Sequence, residues 1–178
     1  MTERLWAPWR MQYVSSARKQ PEECLFCTKA KESCSAESMV LVRNEHAFVM
    51  LNAFPYTNGH LMVAPVRHTA DMNDLSDEEL LEVMRLVRES VNLLQEAYHP
   101  DGFNIGVNLG RAAGAGIVDH IHWHIVPRWN GDTNFMPVLA DVRVIPDSLE
   151  NTYAKLCEVL RRRDGDGTDA GSVGCGEP

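Results

Sequence analysis

The sequence carries no excess of positive charge: 17 Lys and Arg stand against 25 Asp and Glu, for a formal net charge of −8. A protein that works by neutralising a nucleic-acid backbone needs the opposite balance, with its cations clustered, so no nucleic-acid partner is expected. No apolar run approaches the ~20 residues of a membrane-spanning helix, so no membrane partner is expected either. Met1 to Arg10 lacks the apolar core of a secretory signal. No internal repeat shows at solenoid periods. The five cysteines make an odd number, and a chain of 178 residues does not need disulfide staples. A reducing, cytoplasmic setting is the expectation. With 44% hydrophobic and 24% charged residues, the chain can bury the core of one ordinary domain.

The only low-complexity stretch is Asp164 to Pro178, rich in Gly and Asp, and expected to be disordered. Residues 1–20 read as an N-terminal arm, 21–163 as the folded domain and 164–178 as a tail. Met39–Val42 and Ala47–Leu51 read as a hairpin around Asn44-Glu45. Phe54 to Gly59 is rich in turn residues, and His60–Pro65 reads as a third strand. Ser76 with Glu79 forms a capping box for a helix over Asp77–Tyr98, ended by His99-Pro100. Leu80, Met84, Val87, Val91 and Leu94 share one face of it, expected to be the inward one. Phe103–Leu109 and His120–Pro127 read as the fourth and fifth strands. A last helix over Leu149–Arg162 would turn Tyr153, Leu156 and Leu160 inward. This order predicts an α+β fold, a mainly antiparallel sheet of about five strands with one long and one C-terminal helix.

His120, His122 and His124 alternate with Ile121, Trp123 and Ile125. On a strand this puts the imidazoles on one face, about 7 Å apart, and the apolar residues on the other. A lone histidine would read as solvated surface. Three in strict alternation beside the Gly110–Gly116 turn read as a site. Zinc binding fits the pattern. So does nucleophilic catalysis, since neutral imidazole attacks phosphorus to form a labile phosphoramidate. The spacing does not separate them. Cys24-Leu25-Phe26-Cys27 is compatible with zinc or with a redox pair. Cys34 and Cys157 read as free buried thiols, and Cys175 as incidental.

His120-Ile121-His122-Trp123-His124-Ile125-Val126 resembles the signature of the histidine triad (HIT) family of nucleotide hydrolases and transferases. Asn58-Gly59-His60-Leu61-Met62-Val63-Ala64-Pro65 is similar to a second segment of that family. The resemblance runs from about Cys24 through Trp129. It implies the HIT fold, an edge-to-edge homodimer, and a nucleophile at His122 that captures AMP from the α-phosphorus of a nucleotide. It implies His124 on a phosphate oxygen and assisting the leaving group, Asn108 beside the phosphate and Asn52 on the ribose. Backbone N–H groups near Gly116 and Ile117 would cradle the phosphate. It also implies a structural zinc on Cys24, Cys27, His68 and His120, and no organic cofactor. His60 would pack beneath the site and hydrogen-bond a triad member.

Leu5 to Tyr13, Asn104 to Gly110 and Pro127 to Met136 resemble the bacterial diadenosine tetraphosphate phosphorylase, or ATP adenylyltransferase-like, branch. That branch implies phosphorolysis of diadenosine tetraphosphate by inorganic phosphate to ATP and ADP. Trp129 would stack on a base or close the dimer near the site. Hydrolysis of adenosine phosphoramidates or dinucleoside polyphosphates is the alternative activity, and a non-catalytic nucleotide-binding module the alternative class. Lys29, Arg111 and Arg128 are conceivable phosphate partners, although each such residue is more often a solvated charge. In one respect the sequence departs from the family. Many members carry Gln or Ser a few residues before the triad, where this chain has Gly114-Ala115-Gly116-Ile117-Val118-Asp119. A side chain able to donate to the leaving-group oxygen is missing there.

Overall fold

The computed structural model describes residues 23–132, 145 and 147–165. Residues 1–20 and most of the expected tail, with Cys175, lie outside them. The elements in chain order are α1 (Leu25–Lys29), β1 (Val40–Arg43), β2 (Ala47–Leu51), β3 (Leu61–Pro65), α2 (Asp77–Tyr98), β4 (Gly102–Val107), β5 (Trp123–Arg128) and α3 (Leu149–Gly165). Short 3-10 turns occupy Met72–Asp74 and Arg111–Ala113. The five strands form one sheet in the order β1-β2-β3-β5-β4, with every neighbouring pair antiparallel.

Strand alternation sorts the side chains onto two faces. Val49 and Leu51 of β2, Leu61 and Val63 of β3, and Ile121, Trp123 and Ile125 join Val83, Leu86, Val87, Leu93 and Leu94 of α2 in the larger core. Tyr153 and Leu156 of α3 complete it, as expected, with Leu160 packed at its margin. The opposite face holds a smaller cluster: Phe26 of α1 with Val40, Phe48, Met50, Met62 and Ala64. Sequestering each large aliphatic side chain contributes about 1.5–3 kcal/mol, so most of the apolar stabilisation lies on the helix-covered face.

Helix α2 occupies the expected residues because its ends are specified locally. Ser76 Oγ accepts from the Glu79 N–H at 3.2 Å, and the Glu79 carboxylate accepts from the Ser76 N–H at 2.8 Å. His99 closes the helix in the left-handed region at φ 47°. Its inward face is centred slightly off the expectation: Val87 and Leu94 are buried and Leu80 and Val91 pack at the margin of the core, but Met84 does not. Val83, Leu86, Val87, Ser90, Leu93, Leu94 and Ala97 are buried, whereas Met84 is 47% exposed.

Helix α3 runs to Gly165, two residues into the stretch read as tail. The fourth strand ends at Val107 and the fifth begins only at Trp123, so His120 and His122 lie on the approach to β5. There the Ile121 N–H is held by the Thr69 carbonyl at 2.7 Å. The alternation survives this shift: Ile121 stays in the larger core while the histidines face the smaller cluster. Cys157, read as a free thiol, is buried and disulfide-bonded. Cys34 is half-buried and forms no disulfide.

Gly59, in the turn before His60, has φ +76°, and a Cβ there would meet Leu94 Cδ2 at 3.0 Å. Glycine takes this conformation at no steric cost. That lets the chain turn into β3 while lying flat on α2.

Candidate active site and metal centre

Three backbone groups decide where the protons of the triad sit. His122 Nδ1 lies 2.9 Å from the carbonyl oxygen of His120, and only an N–H can meet a carbonyl. The neutral ring therefore carries its proton on Nδ1 and leaves the Nε2 lone pair bare. His120 is turned the other way, its Nε2 donating to the Pro65 carbonyl at 2.9 Å. Its Nδ1 lone pair then faces Cys24 Sγ at 3.4 Å and Cys27 Sγ at 3.7 Å.

His124 is set through His60. The Tyr56 N–H donates to His60 Nδ1 at 3.1 Å, so the His60 proton is on Nε2 and donates to His124 Nδ1 at 3.0 Å. His124 must then carry its own proton on Nε2. The site thus presents a bare nitrogen on His122 beside an N–H on His124, their rings 4.9 Å apart.

Burial keeps these rings neutral. His60 and His120 are fully buried and His122 is 5% exposed. Loss of hydration disfavours the imidazolium. It pulls His60 down to about 3, with the neighbouring His124 and His122 adding to the shift. His124 is pulled down to about 4 by burial and then by His122. His122 is lowered by burial, against the opposing hydrogen bond to the His120 carbonyl. At neutral pH such a pair can act as nucleophile and hydrogen-bond donor without first losing a proton.

Cys24, Cys27, His68 and His120 converge, their ligand atoms all within 4.8 Å of one another. The distance from Cys27 Sγ to His68 Nδ1 is 3.2 Å. In a tetrahedron with metal–sulfur bonds near 2.3 Å and metal–nitrogen bonds near 2.0 Å, sulfur and nitrogen stand roughly 3.5 Å apart. Three of the four sulfur–nitrogen separations here, 3.2, 3.4 and 3.7 Å, bracket that value. The His120 Nε2–H on Pro65 is the kind of outer contact that orients a ligating imidazole. The donor set fits a divalent, sulfur-tolerant ion such as zinc. Cys24 and Cys27 straddle Phe26, whose ring lies 5.2 Å from His120 and 4.6 Å from His122.

Asn52 sits at the end of β2, where its Oδ1 accepts from the Phe54 N–H at 2.9 Å and its Nδ2 lies 3.3 Å from His60 Nδ1. Asn108 follows β4. The pairing of Val107 with Trp123 places it level with His122. Gly116 is exposed, and Ile117 packs against the smaller cluster on the histidine face. Trp129 is not brought to the triad within this chain. It follows β5 at the end away from His122, and seven residues of extended chain span about 23 Å.

Two of the three cations read as conceivable phosphate partners are engaged elsewhere. Lys29 pairs with Glu32 at 2.7 Å, and Arg128 holds Asp132 through two nitrogens while donating to Asn104. Tyr56 and Phe26 were not singled out from the sequence. Tyr56 acts through a backbone N–H, common to every residue but proline, and Phe26 reads as one apolar residue in a short, aperiodic segment.

The HIT domain family matches residues 34–131. The chain belongs to the HIT family. It is 36% identical over 167 residues to the AP-4-A phosphorylase of Mycobacterium tuberculosis, covering 90% of this chain and 86% of that protein. It is 34% identical to the adenosine 5'-monophosphoramidase of Schizosaccharomyces pombe, over 60% of this chain and 75% of that one. A zinc-bound histidine triad protein from Mycobacterium smegmatis has a similar structure, with a TM-score of 0.64 and 30% identity. It covers 81% of this chain and 97% of its own. The knuckle cysteines of this HIT protein precede the matched region, while His68 and His120 lie inside it. Among the described residues, no helix is long and apolar enough to cross a membrane.

Proposed function

We propose that this HIT protein is a nucleotidyltransferase that phosphorolyses diadenosine tetraphosphate to ATP and ADP. The observation that carries this reading is the bare Nε2 of His122 beside the N–H of His124, both set by neighbouring groups. The likeness to a mycobacterial AP-4-A phosphorylase over most of both chains supports the choice of substrate.

In the first step His122 Nε2 forms a bond to the α-phosphorus while the bond from that phosphorus to the bridging oxygen breaks. ATP leaves, its oxygen stabilised by the His124 Nε2–H. In the second step an oxygen of inorganic phosphate attacks the same phosphorus, the phosphorus–nitrogen bond breaks, and ADP departs from a regenerated neutral His122. Asn52 would hold the ribose, Asn108 and the backbone near Gly116 and Ile117 the phosphate. Trp129 would complete a site only across a homodimer. Ile105, Leu109, Leu81 and Met84, each roughly half exposed, support such pairing at the β4 edge and along α2.

Cys24, Cys27, His68 and His120 would hold zinc, which when bound supplies a structural cross-link. No bond-making step needs it. In this reading an arm at 1–20 precedes a folded domain that begins at 21 and runs to the end of α3, with the tail beyond it.

The likeness to a monophosphoramidase favours one alternative, hydrolysis of adenosine phosphoramidates. Product analysis decides. ATP with ADP, formed only when phosphate is supplied, supports the phosphorylase. AMP with ATP in its absence makes the protein a hydrolase, and two ADP molecules overturn the adenylyl-histidine route.

A further inference from the structure

The connection from Asn108 to His120 begins level with the nucleophile and ends on the triad itself. Midway it lifts into solvent: Leu109 through Gly114 are exposed, and Gly110 and Gly114 take φ +78° and +93°. It then returns with Ile117 packed against the cluster that contains Phe26, the ring that also touches His120 and His122. The arc therefore rims the triad face. From Leu109 to Val118 its residues are Leu, Gly, Arg, Ala, Ala, Gly, Ala, Gly, Ile and Val. Arg111 is the sole member whose side chain can donate a hydrogen bond.

Arg111 is exposed, and among the described residues its side chain has no ion-pair or hydrogen-bond partner. Several other cations are engaged: Lys29 on Glu32, Arg43 on the carbonyls of Ala30 and Glu32, Arg67 on Glu79, Arg128 on Asp132. An unpaired guanidinium on the rim of a nucleotide site is suited to a planar, two-pronged grip on phosphate oxygens.

We propose that Arg111 is a specificity-determining residue that grips the leaving polyphosphate beyond the attacked phosphorus, doing from the crest of the loop what the side chain missing before the triad would otherwise do. This rests on the nucleotidyl-transfer reading above. Substrates that leave as a polyphosphate depend on Arg111; substrates that leave as a neutral amine do not.

The test compares diadenosine tetraphosphate with adenosine 5'-phosphoramidate in the wild type, Arg111→Ala and Arg111→Lys. Loss of a charge-assisted hydrogen-bond pair at an exposed site predicts a fall of about 10- to 100-fold in kcat/KM for the tetraphosphate. Turnover of the phosphoramidate stays within about 3-fold, because its leaving group offers no anion to grip. Arg111→Lys recovers part of the loss, since ammonium supplies charge without the fork. Equal losses on both substrates, or none on either, overturn the proposal.

Calorimetry of ATP and AMP binding supplies a readout without turnover. Arg111→Ala should weaken ATP at least about 10-fold and leave AMP within about 2-fold; equal effects on the two nucleotides overturn the proposal. A wild type that binds ATP through Arg111 but never cleaves the tetraphosphate would defeat the phosphorolysis reading and leave the Arg111 grip standing.

Discussion

The two faces of the sheet use the same strands for opposite ends. On one face Leu61, Val63, Trp123 and Ile125 meet α2 and α3 in a largely apolar layer. On the other the alternate residues of those strands, Met62, His122 and His124, share a thin cluster with five-residue α1, four ligand-type side chains and a chain of imidazoles. The first layer stabilises without specifying chemistry. The second is polar, buried and expensive to hold unless each nitrogen has a partner. The difference teaches that in a sheet this small, folding and reaction can be separated residue by residue along one strand.

That separation can be broken in order of expected effect. His122→Asn should lower turnover by ~10⁴-fold or more, since it removes the proposed nucleophile. Its unfolding free energy should stay within about 1 kcal/mol of wild type, and a large stability loss would blur the division. Removing metal with a chelator, or Cys24→Ser with Cys27→Ser, should lower the thermal midpoint clearly, because a bound structural ion contributes folding free energy. No zinc in the purified protein, or an unchanged midpoint, would remove the metal from the picture.

Leu94→Ala, in the apolar layer, should cost about 2–5 kcal/mol in urea unfolding and leave kcat near wild type below the melting range. His60→Leu should reduce kcat by about 10²-fold with little change in KM, because His124 loses the donor that fixes its proton.

The smallest effect is on pH. His60 and His124 are lowered from 6.5 to about 3 and about 4. Between 6.5 and those values the unfolded chain binds more protons than the folded one, so stability is complete above that window and declines as pH falls through it. The midpoint should drop steadily from pH 7 to pH 4, and a flat profile would mean these rings are not buried neutral.

Much of the fold was legible because its signals are local. Ser76, Glu79 and His99-Pro100 bound α2 by their own hydrogen bonds and backbone preferences. The alternation of His120, His122 and His124 with apolar residues announced a two-faced strand. The small offset of the inward face of α2 was not legible. Val87 and Leu94 belong to both candidate faces, and the choice turned on Ser90, a polar residue whose burial only the tertiary contacts decide. Helix α1 was missed because five residues carry no periodicity and owe their place to Arg43, which bonds the carbonyls of Ala30 and Glu32. The ligand set and the His60 contact came from likeness to a family. The proton positions came from neither source, since they depend on Tyr56 and Pro65 meeting rings from other parts of the chain.

The carbonyl that steadies the His122 proton belongs to residue 120 but not to its side chain. Any amino acid at 120 would offer the same oxygen. The proposed nucleophile is therefore insulated from mutation at the very neighbour proposed to serve a metal. A lineage could discard its cysteines and repurpose position 120 without disturbing the attacking nitrogen two residues on. The proposed metal site and the proposed reaction sit almost side by side, yet they are free to evolve at different rates.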